Sequence, residues 1–123
     1  MKTNEITGEI IDASIKVHRH LGPGLLESAY EAVLAYELRK RGLKVQRQLT
    51  LPIVYEEVEL DIGYRIDLFV EDEVVVELKA VEKMIPLFEA QLLSYLKLKN
   101  KKIGLLINFH VVLLKNGINR MAN

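Results

Sequence analysis

Residues 64–80, YRIDLFVEDEVVVELKA, alternate between two sets of side chains with a period of two, which is the pattern of a β-strand and not of a helix. The acidic run Glu71–Glu73 interrupts the alternation and predicts a hairpin turning there. Successive strand residues point to opposite faces. Ile66, Leu68, Val70, Val74, Val76 and Leu78 therefore make one wholly apolar face, which must be covered by a second layer of structure. The other face carries Arg65, Asp67, Phe69, Val75, Glu77 and Lys79. A register with Val70 opposite Val74 keeps the apolar sets together. It also sets Asp67 across from Glu77, with Cβ atoms about 5 Å apart. Two ionised carboxylates about 4 Å apart repel by roughly 4 kcal/mol at an effective dielectric of about 20. Lys79 or a divalent cation is expected to offset that repulsion. Oxygen donors suit Mg²⁺ or Mn²⁺, which take one or two carboxylates together with waters and phosphate oxygens. In such a site Lys79 can orient a water or meet developing charge, and Arg65 can clamp a phosphate oxygen. Cross-strand ion pairs on a solvated face are the alternative, because this spacing alone is degenerate.

The rest of the chain predicts what covers the hairpin. Residues 4–21 have apolar or small residues at Ile6, Ile10, Ser14, Val17 and Leu21, one stripe of a helix that Thr3 or Asn4 can cap. Gly22-Pro23-Gly24 breaks it. A second helix runs from about Leu25 to Arg41 and stops at Gly42. Strand-like segments follow at 43–54, 58–70 and 73–80, with Pro52 marking an end or an edge. A third helix starts at Pro86 and runs to about Asn100. Segments 102–108 and 111–115 read as two further strands, VVLLK at 111–115 being a core strand or an apolar edge. The order ααβββαββ is that of a mixed α/β domain, and a length of 123 residues fits a single domain over 1–123. There are no cysteines, which excludes disulfides and thiolate metal sites and fits a reducing, cytoplasmic setting. No segment is long and apolar enough to span a bilayer. Seventeen basic and 17 acidic side chains give zero net charge, so any nucleic-acid contact must come from a local patch. The densest basic stretches, RKRGLK (39–44) and KLKNKK (97–102), fall at helix C-termini, where the helix dipole favours them. His18 and His20 project in different directions from the first helix and read as surface residues.

Two polar residues interrupt apolar stripes. Leu26, Tyr30, Val33, Leu34 and Leu38 form the stripe of the second helix, and Glu27 falls inside it, whereas Glu37 lies beside it. Leu87, Phe88, Ser94, Tyr95 and Leu98 form that of the third, with Gln91 near its middle. An unpaired buried carboxylate is costly, so Glu27 is expected to meet a donor, a base or a metal. With the acidic hairpin face, Glu27 and Gln91 predict one polar cluster where two helices meet a sheet.

Gly24, Glu27 and Tyr30 form G-x-x-E-x-x-Y within GPGLLESAY, and YRIDL, VVVELKA, EAQLLSYL and GLLINF follow in order. From about Ile6 to Ile118 the chain resembles the GxxExxY protein family, a group within the PD-(D/E)XK nuclease-like superfamily. The resemblance implies an α/β, restriction-endonuclease-like core, a mixed central sheet of about four strands flanked by helices. It implies a Mg²⁺-dependent (or Mn²⁺-dependent) nuclease that hydrolyses phosphodiesters, of DNA in the first instance, or a non-catalytic nucleic-acid or protein-binding module that keeps the fold. The acidic metal ligands map onto Asp67 and Glu77, the lysine onto Lys79, and the carbonyl of Leu78 is a further ligand. Glu27 matches the helical glutamate that many members carry as a metal or water ligand, and Gln91 a polar helix position of several branches. Arg65 and Tyr30 are expected to touch substrate. Ile66 stands where the superfamily's name has proline. Many compact members act as dimers, and the resemblance therefore implies a homodimer here.

Overall fold

The computed structural model describes residues Met1–Asn123. Helix α1 (Thr3–Leu21) and helix α2 (Glu27–Lys40) precede strands β1 (Val45–Thr50), β2 (Ile53–Tyr55), β3 (Val58–Leu60), β4 (Arg65–Val70) and β5 (Val74–Lys79). Helix α3 (Pro86–Lys99), strand β6 (Ile103–Asn108), a 3₁₀ turn (Leu114–Gly117) and strand β7 (Ile118–Ala122) complete the chain. Five strands make a mixed sheet in the order β1-β4-β5-β6-β7. The β5–β6 pair is parallel, with α3 as the crossover that such a pair needs, and the remaining neighbours are antiparallel.

The hairpin forms as the alternation predicts. Val70 stands opposite Val74, Phe69 opposite Val75 and Leu68 opposite Val76. Glu71 and Asp72 both take φ near +54°, and the Glu73 N–H donates to the Val70 carbonyl at 3.0 Å. Lys44 holds this turn from outside: its N–H donates to the Glu71 carboxylate at 2.6 Å and its ammonium meets Asp72 at 2.9 Å. Leu68, Val70, Val74, Val76 and Leu78 pack under α1 and α2, together with Ile6, Ile10, Tyr30 and Leu34. Phe69 and Val75 pack on the other side of the sheet against Leu92, Tyr95 and Leu96 of α3. Gly104 of β6 lets α3 come close, because a Cβ there would lie 2.8 Å from a Leu92 methyl.

Several expectations change. Lys2, not Thr3 or Asn4, caps α1, and it does so without a side-chain bond. The segment 43–54 breaks at Leu51-Pro52 and 58–70 breaks at 61–64, so β2 and β3 form a separate two-stranded hairpin. VVLLK is not a strand. Val112 and Leu113 are exposed, the chain turns through Leu114–Gly117, and the edge strand is Ile118–Ala122. Ile66 joins the α3-side cluster instead of the α1–α2 side, so the alternation is interrupted between Ile66 and Leu68. His18 is buried, with its Nε2 2.8 Å from the Val111 carbonyl, so it anchors the loop after β6 and is not a surface residue.

Candidate functional site

The interruption at Asp67 is where the candidate chemistry lies. Pairing between β1 and β4 runs through Val45–Val70, Gln46–Phe69 and Arg47–Leu68, skips Gln48 and Asp67, and resumes at Leu49–Ile66. Gln48 takes φ +49°, a left-handed conformation that costs a non-glycine residue about 1 kcal/mol or more. The β4–β5 ladder also stops at Leu68–Val76. Beyond it, side chains replace backbone partners. The Asp67 N–H donates to Glu77 Oε2 at 2.8 Å, and the Leu78 N–H donates to Asp67 Oδ2 at 2.9 Å. Each carboxylate is thus bonded to the backbone of the other strand, but Asp67 lines the α2-side cleft and does not share a face with Lys79, contrary to the alternation. Asp67 is half-buried and Glu77 is only 6% exposed. Burial first, and the neighbouring Asp67 second, push the Glu77 carboxyl up to about 8. Burial likewise raises Asp67, against the Leu78 N–H and the Gln48 amide that favour its charged form. No lysine or arginine lies within salt-bridge distance of either carboxylate.

The first turns of α2 close one side of this end of the sheet. Glu31, which the apolar stripe does not single out, is the buried carboxylate there, at 7% exposed. It accepts from Arg47 at 3.0 Å and from the Gln48 amide, and that amide also donates to Asp67 Oδ1 at 3.1 Å. Gln48 therefore bridges α2 to the hairpin, and its strained backbone turns its side chain into that position. A small cleft of about 220 Å³ lies among Glu27, Ser28, Glu31, Gln48, Asp67 and Leu78. Glu27 itself is exposed, contrary to its place in the stripe, because it is the first residue of α2 and the helix has barely begun to pack. Its Oε2 accepts from the Ala80 N–H at 3.4 Å, and it does not pair with Lys79. Tyr30 is fully buried, not substrate-facing. Its ring stacks on Phe109 with centroids 4.4 Å apart, its hydroxyl donates to the Gly22 carbonyl, and it accepts from the Leu25 N–H. In G-x-x-E-x-x-Y, then, Gly24 supplies a turn at φ +101°, Tyr30 ties that turn to the core, and Glu27 reaches the end of β5.

Lys79 and Gln91 lie on the other side of the sheet. The Lys79 ammonium rests over the Phe88 ring, 4.4 Å from its centroid, and the Gln91 amide donates to the Tyr95 hydroxyl at 3.0 Å. Burial, then the nearby Glu77 charge, raises the Tyr95 hydroxyl above its ordinary range. Glu27 and Gln91 therefore do not share a cavity: one flanks the carboxylate pair from α2, the other from α3. Arg65 is engaged by Asp61 at 3.4 Å and by the Tyr64 carbonyl at 2.9 Å.

The donor set suits a hard divalent cation. Both carboxylates are oxygen donors with no lysine or arginine in salt-bridge contact, and burial together with Asp67 disfavours the charge on Glu77 more than the Lys79 ammonium favours it. In an extended strand the N–H and carbonyl of one residue face the same neighbour, so the Leu78 carbonyl lies on the Asp67 side. No three His, Asp or Glu side chains converge, so a cation here would take two carboxylates, a carbonyl and waters, a set typical of Mg²⁺.

A mixed five-stranded sheet flanked by helices, with this hairpin at its centre, is a restriction-endonuclease-like core. The family model of the PD-(D/E)XK nuclease superfamily matches residues 4–121. The chain belongs to that superfamily, and the GxxExxY resemblance is consistent with this membership. No curated protein and no solved structure matches the chain. No helix is long and apolar enough to cross a membrane.

Proposed function

We propose that the protein is a Mg²⁺- or Mn²⁺-dependent nuclease that hydrolyses phosphodiester bonds of nucleic acid, with DNA as the first candidate. The observation that carries this reading is the pair of strand-crossing bonds, Asp67 N–H to Glu77 and Leu78 N–H to Asp67, which holds a buried and a half-buried carboxylate at the end of the ladder with no lysine or arginine in salt-bridge contact. Asp67, Glu77 and the Leu78 carbonyl would hold the ion, with Glu27 contributing through water from the α2 side. When bound, such an ion polarises the phosphodiester and lowers the pKa of a bound water. The chain's own residues do the rest. Leu78 and Gln48 donate to Asp67 and fix its orientation. Arg47 pairs with Glu31 and offsets part of the repulsion that this carboxylate exerts on Asp67 and Glu77. Lys79, two residues beyond Glu77, would swing from the Phe88 ring to meet charge developing on the phosphate, and Arg65 would exchange Asp61 for a neighbouring phosphate oxygen. Residues 1–123 act here as one nuclease-like domain, working as a homodimer in a reducing, cytoplasmic setting.

A second reading rests on the Lys79 ammonium lying over Phe88 and on the lack of a third converging carboxylate: a binding module that keeps the fold without hydrolysis. One experiment separates the two. Single-stranded, duplex and branched DNA, and RNA, are incubated with the protein and Mg²⁺ or Mn²⁺, alongside Asp67→Asn and Lys79→Ala. Cleavage by the wild type that both substitutions abolish supports hydrolysis. Binding without cleavage under every condition favours the module.

A further inference from the structure

The stripe of α3 that the sequence marks as core is left open. Leu92, Tyr95 and Leu96 pack inward, whereas Leu87 is 67% exposed and Leu98 and Ser94 are also exposed. Opposite them stand Ile53 of the β2–β3 hairpin and Tyr64, itself 40% exposed. Between the two walls runs a trough of about 670 Å³, within the size range of small-ligand sites. Its walls are largely apolar and aromatic: Tyr64, Phe88 and Tyr95, with the Tyr64 and Tyr95 rings 5.9 Å apart and tilted. Its polar groups are few and convergent, namely the Lys79 ammonium, the Gln91 amide and the Ser94 hydroxyl.

We propose that this trough receives an unpaired nucleobase of the substrate, stacked against Tyr64 and Phe88 beside the scissile phosphate, so that the protein acts on single-stranded or frayed nucleic acid in preference to intact duplex. The inference rests on the nuclease reading above. Continuity supports it: Lys79 belongs both to the candidate catalytic set and to the trough lining. Chemistry supports it, because every base has a π-face and stacks on aromatic side chains without regard to sequence. Charge supports it as well. The turn of the hairpin that forms one wall bears exposed Glu56 and Glu57, and exposed Asp61 follows the hairpin; their charges disfavour a second phosphate backbone near that wall.

The test uses the Asp67→Asn protein in Mg²⁺, chosen to block cutting, and an oligonucleotide carrying one 2-aminopurine, single-stranded or annealed to its complement. The expected result is a fluorescence change on single-strand binding that duplex does not give. Adding Tyr64→Ala or the exposed Leu87→Ser should then weaken single-strand binding, by roughly five- to a hundred-fold for the loss of a stacked base. Equal binding of duplex, or unchanged binding in both added variants, overturns the trough assignment even if wild type cleaves DNA in Mg²⁺. Absence of both binding and cleavage overturns the nuclease reading, and the trough assignment with it. A dimer in sedimentation that Leu87→Ser dissolves assigns the trough to a second copy of the chain, and overturns the base assignment.

Discussion

The pair at Asp67 and Glu77 makes a prediction about stability that needs no substrate. With the Glu77 carboxyl moved from 4.5 to about 8 by burial and by Asp67, the folded protein binds a proton over that range that the unfolded chain has already released. Stability therefore falls as pH rises from 4.5 to 8, and does so whenever no cation is bound. At about 1.4 kcal/mol per pH unit the total is on the order of 5 kcal/mol, comparable with the whole stability of many domains. Asp67, raised in the same direction, adds to the same slope. Glu37 works the opposite way: its hydrogen bond to Arg41 holds it below 4.5, so it withdraws stability as pH falls beneath that value. In EDTA the protein should thus be most stable near pH 5. Its melting temperature should drop by on the order of 15 °C or more by pH 8.5, at roughly 4 °C per kcal/mol for a chain this size. Millimolar Mg²⁺ should recover much of that loss, since an ion that binds only the folded form stabilises it by mass action. Glu77→Gln keeps an acceptor for the Asp67 N–H but carries no charge. It should flatten the pH curve, melt above wild type at pH 8 in EDTA, and lose the response to Mg²⁺. The measurement is a set of urea or thermal unfolding curves from pH 5 to 9, with EDTA and with Mg²⁺, for both proteins. A wild-type stability that is flat or rising over this range in EDTA would refute the reasoning, because the pair would then be solvated or neutralised by the protein itself.

Four further outcomes are expected. Tyr30→Phe leaves the Gly22 carbonyl and Leu25 N–H without their partner and should cost about 1–2 kcal/mol by urea unfolding, while leaving any DNA binding in place. Glu31→Ala strands Arg47 and releases Gln48 from one of its two carboxylates; a loss of about 1–3 kcal/mol is expected, with weaker Mg²⁺ binding by calorimetry because Gln48, no longer anchored to α2, fixes Asp67 less firmly. Gly104→Ala forces Leu92 to move and should destabilise by about 1–3 kcal/mol, lifting α3 from the sheet enough to raise amide exchange in its buried face. Asn108, 2% exposed, exchanges bonds with both the N–H and the carbonyl of Val81, so Asn108→Ala should open the segment after Lys79 to limited proteolysis.

The hairpin was the most legible part of the chain. Its alternation, turn and register could be read because one face is wholly apolar, and a one-residue slip would have moved Val70, Val74 and Val76 off that face. From that register the adjacency of Asp67 and Glu77 followed. What escaped was set by features that periodicity does not encode. Gln48 is an unremarkable strand residue until its φ is known, yet it is the bridge between α2 and Asp67. Glu31 lies one turn after Glu27 on the same helix face, and that spacing was the available signal. The stripe argument chose Glu27 because a wheel assumes that every turn of a helix packs equally, whereas the first residue of α2 stands clear of the core. The same assumption misplaced Leu87 and Leu98 in the interior. VVLLK read as a strand because five apolar or long side chains in a row resemble one, but Gly117 and the 3₁₀ turn delay the edge strand to Ile118.

These misreadings have a common physical origin. A helix that borders an open cleft keeps its apolar periodicity without having a partner for all of it, so stripe analysis assigns cleft-lining residues to the core. On α2 the residue at the helix start, Glu27, faces the cleft, and the core takes Tyr30, Leu34 and Leu38. On α3 the core takes Leu92 and Leu96, and the cleft takes Leu87, Gln91 and Leu98. The open faces of both helices flank the same feature, the point where the β4–β5 ladder ends and carboxylates replace backbone partners. A sheet that ended in an ordinary ladder would offer neither helix a cleft. The skipped pair at Gln48 and Asp67 is therefore what separates the two openings, and Gln48→Gly, which removes the strain together with the bridge, should keep the fold while releasing Asp67 from α2.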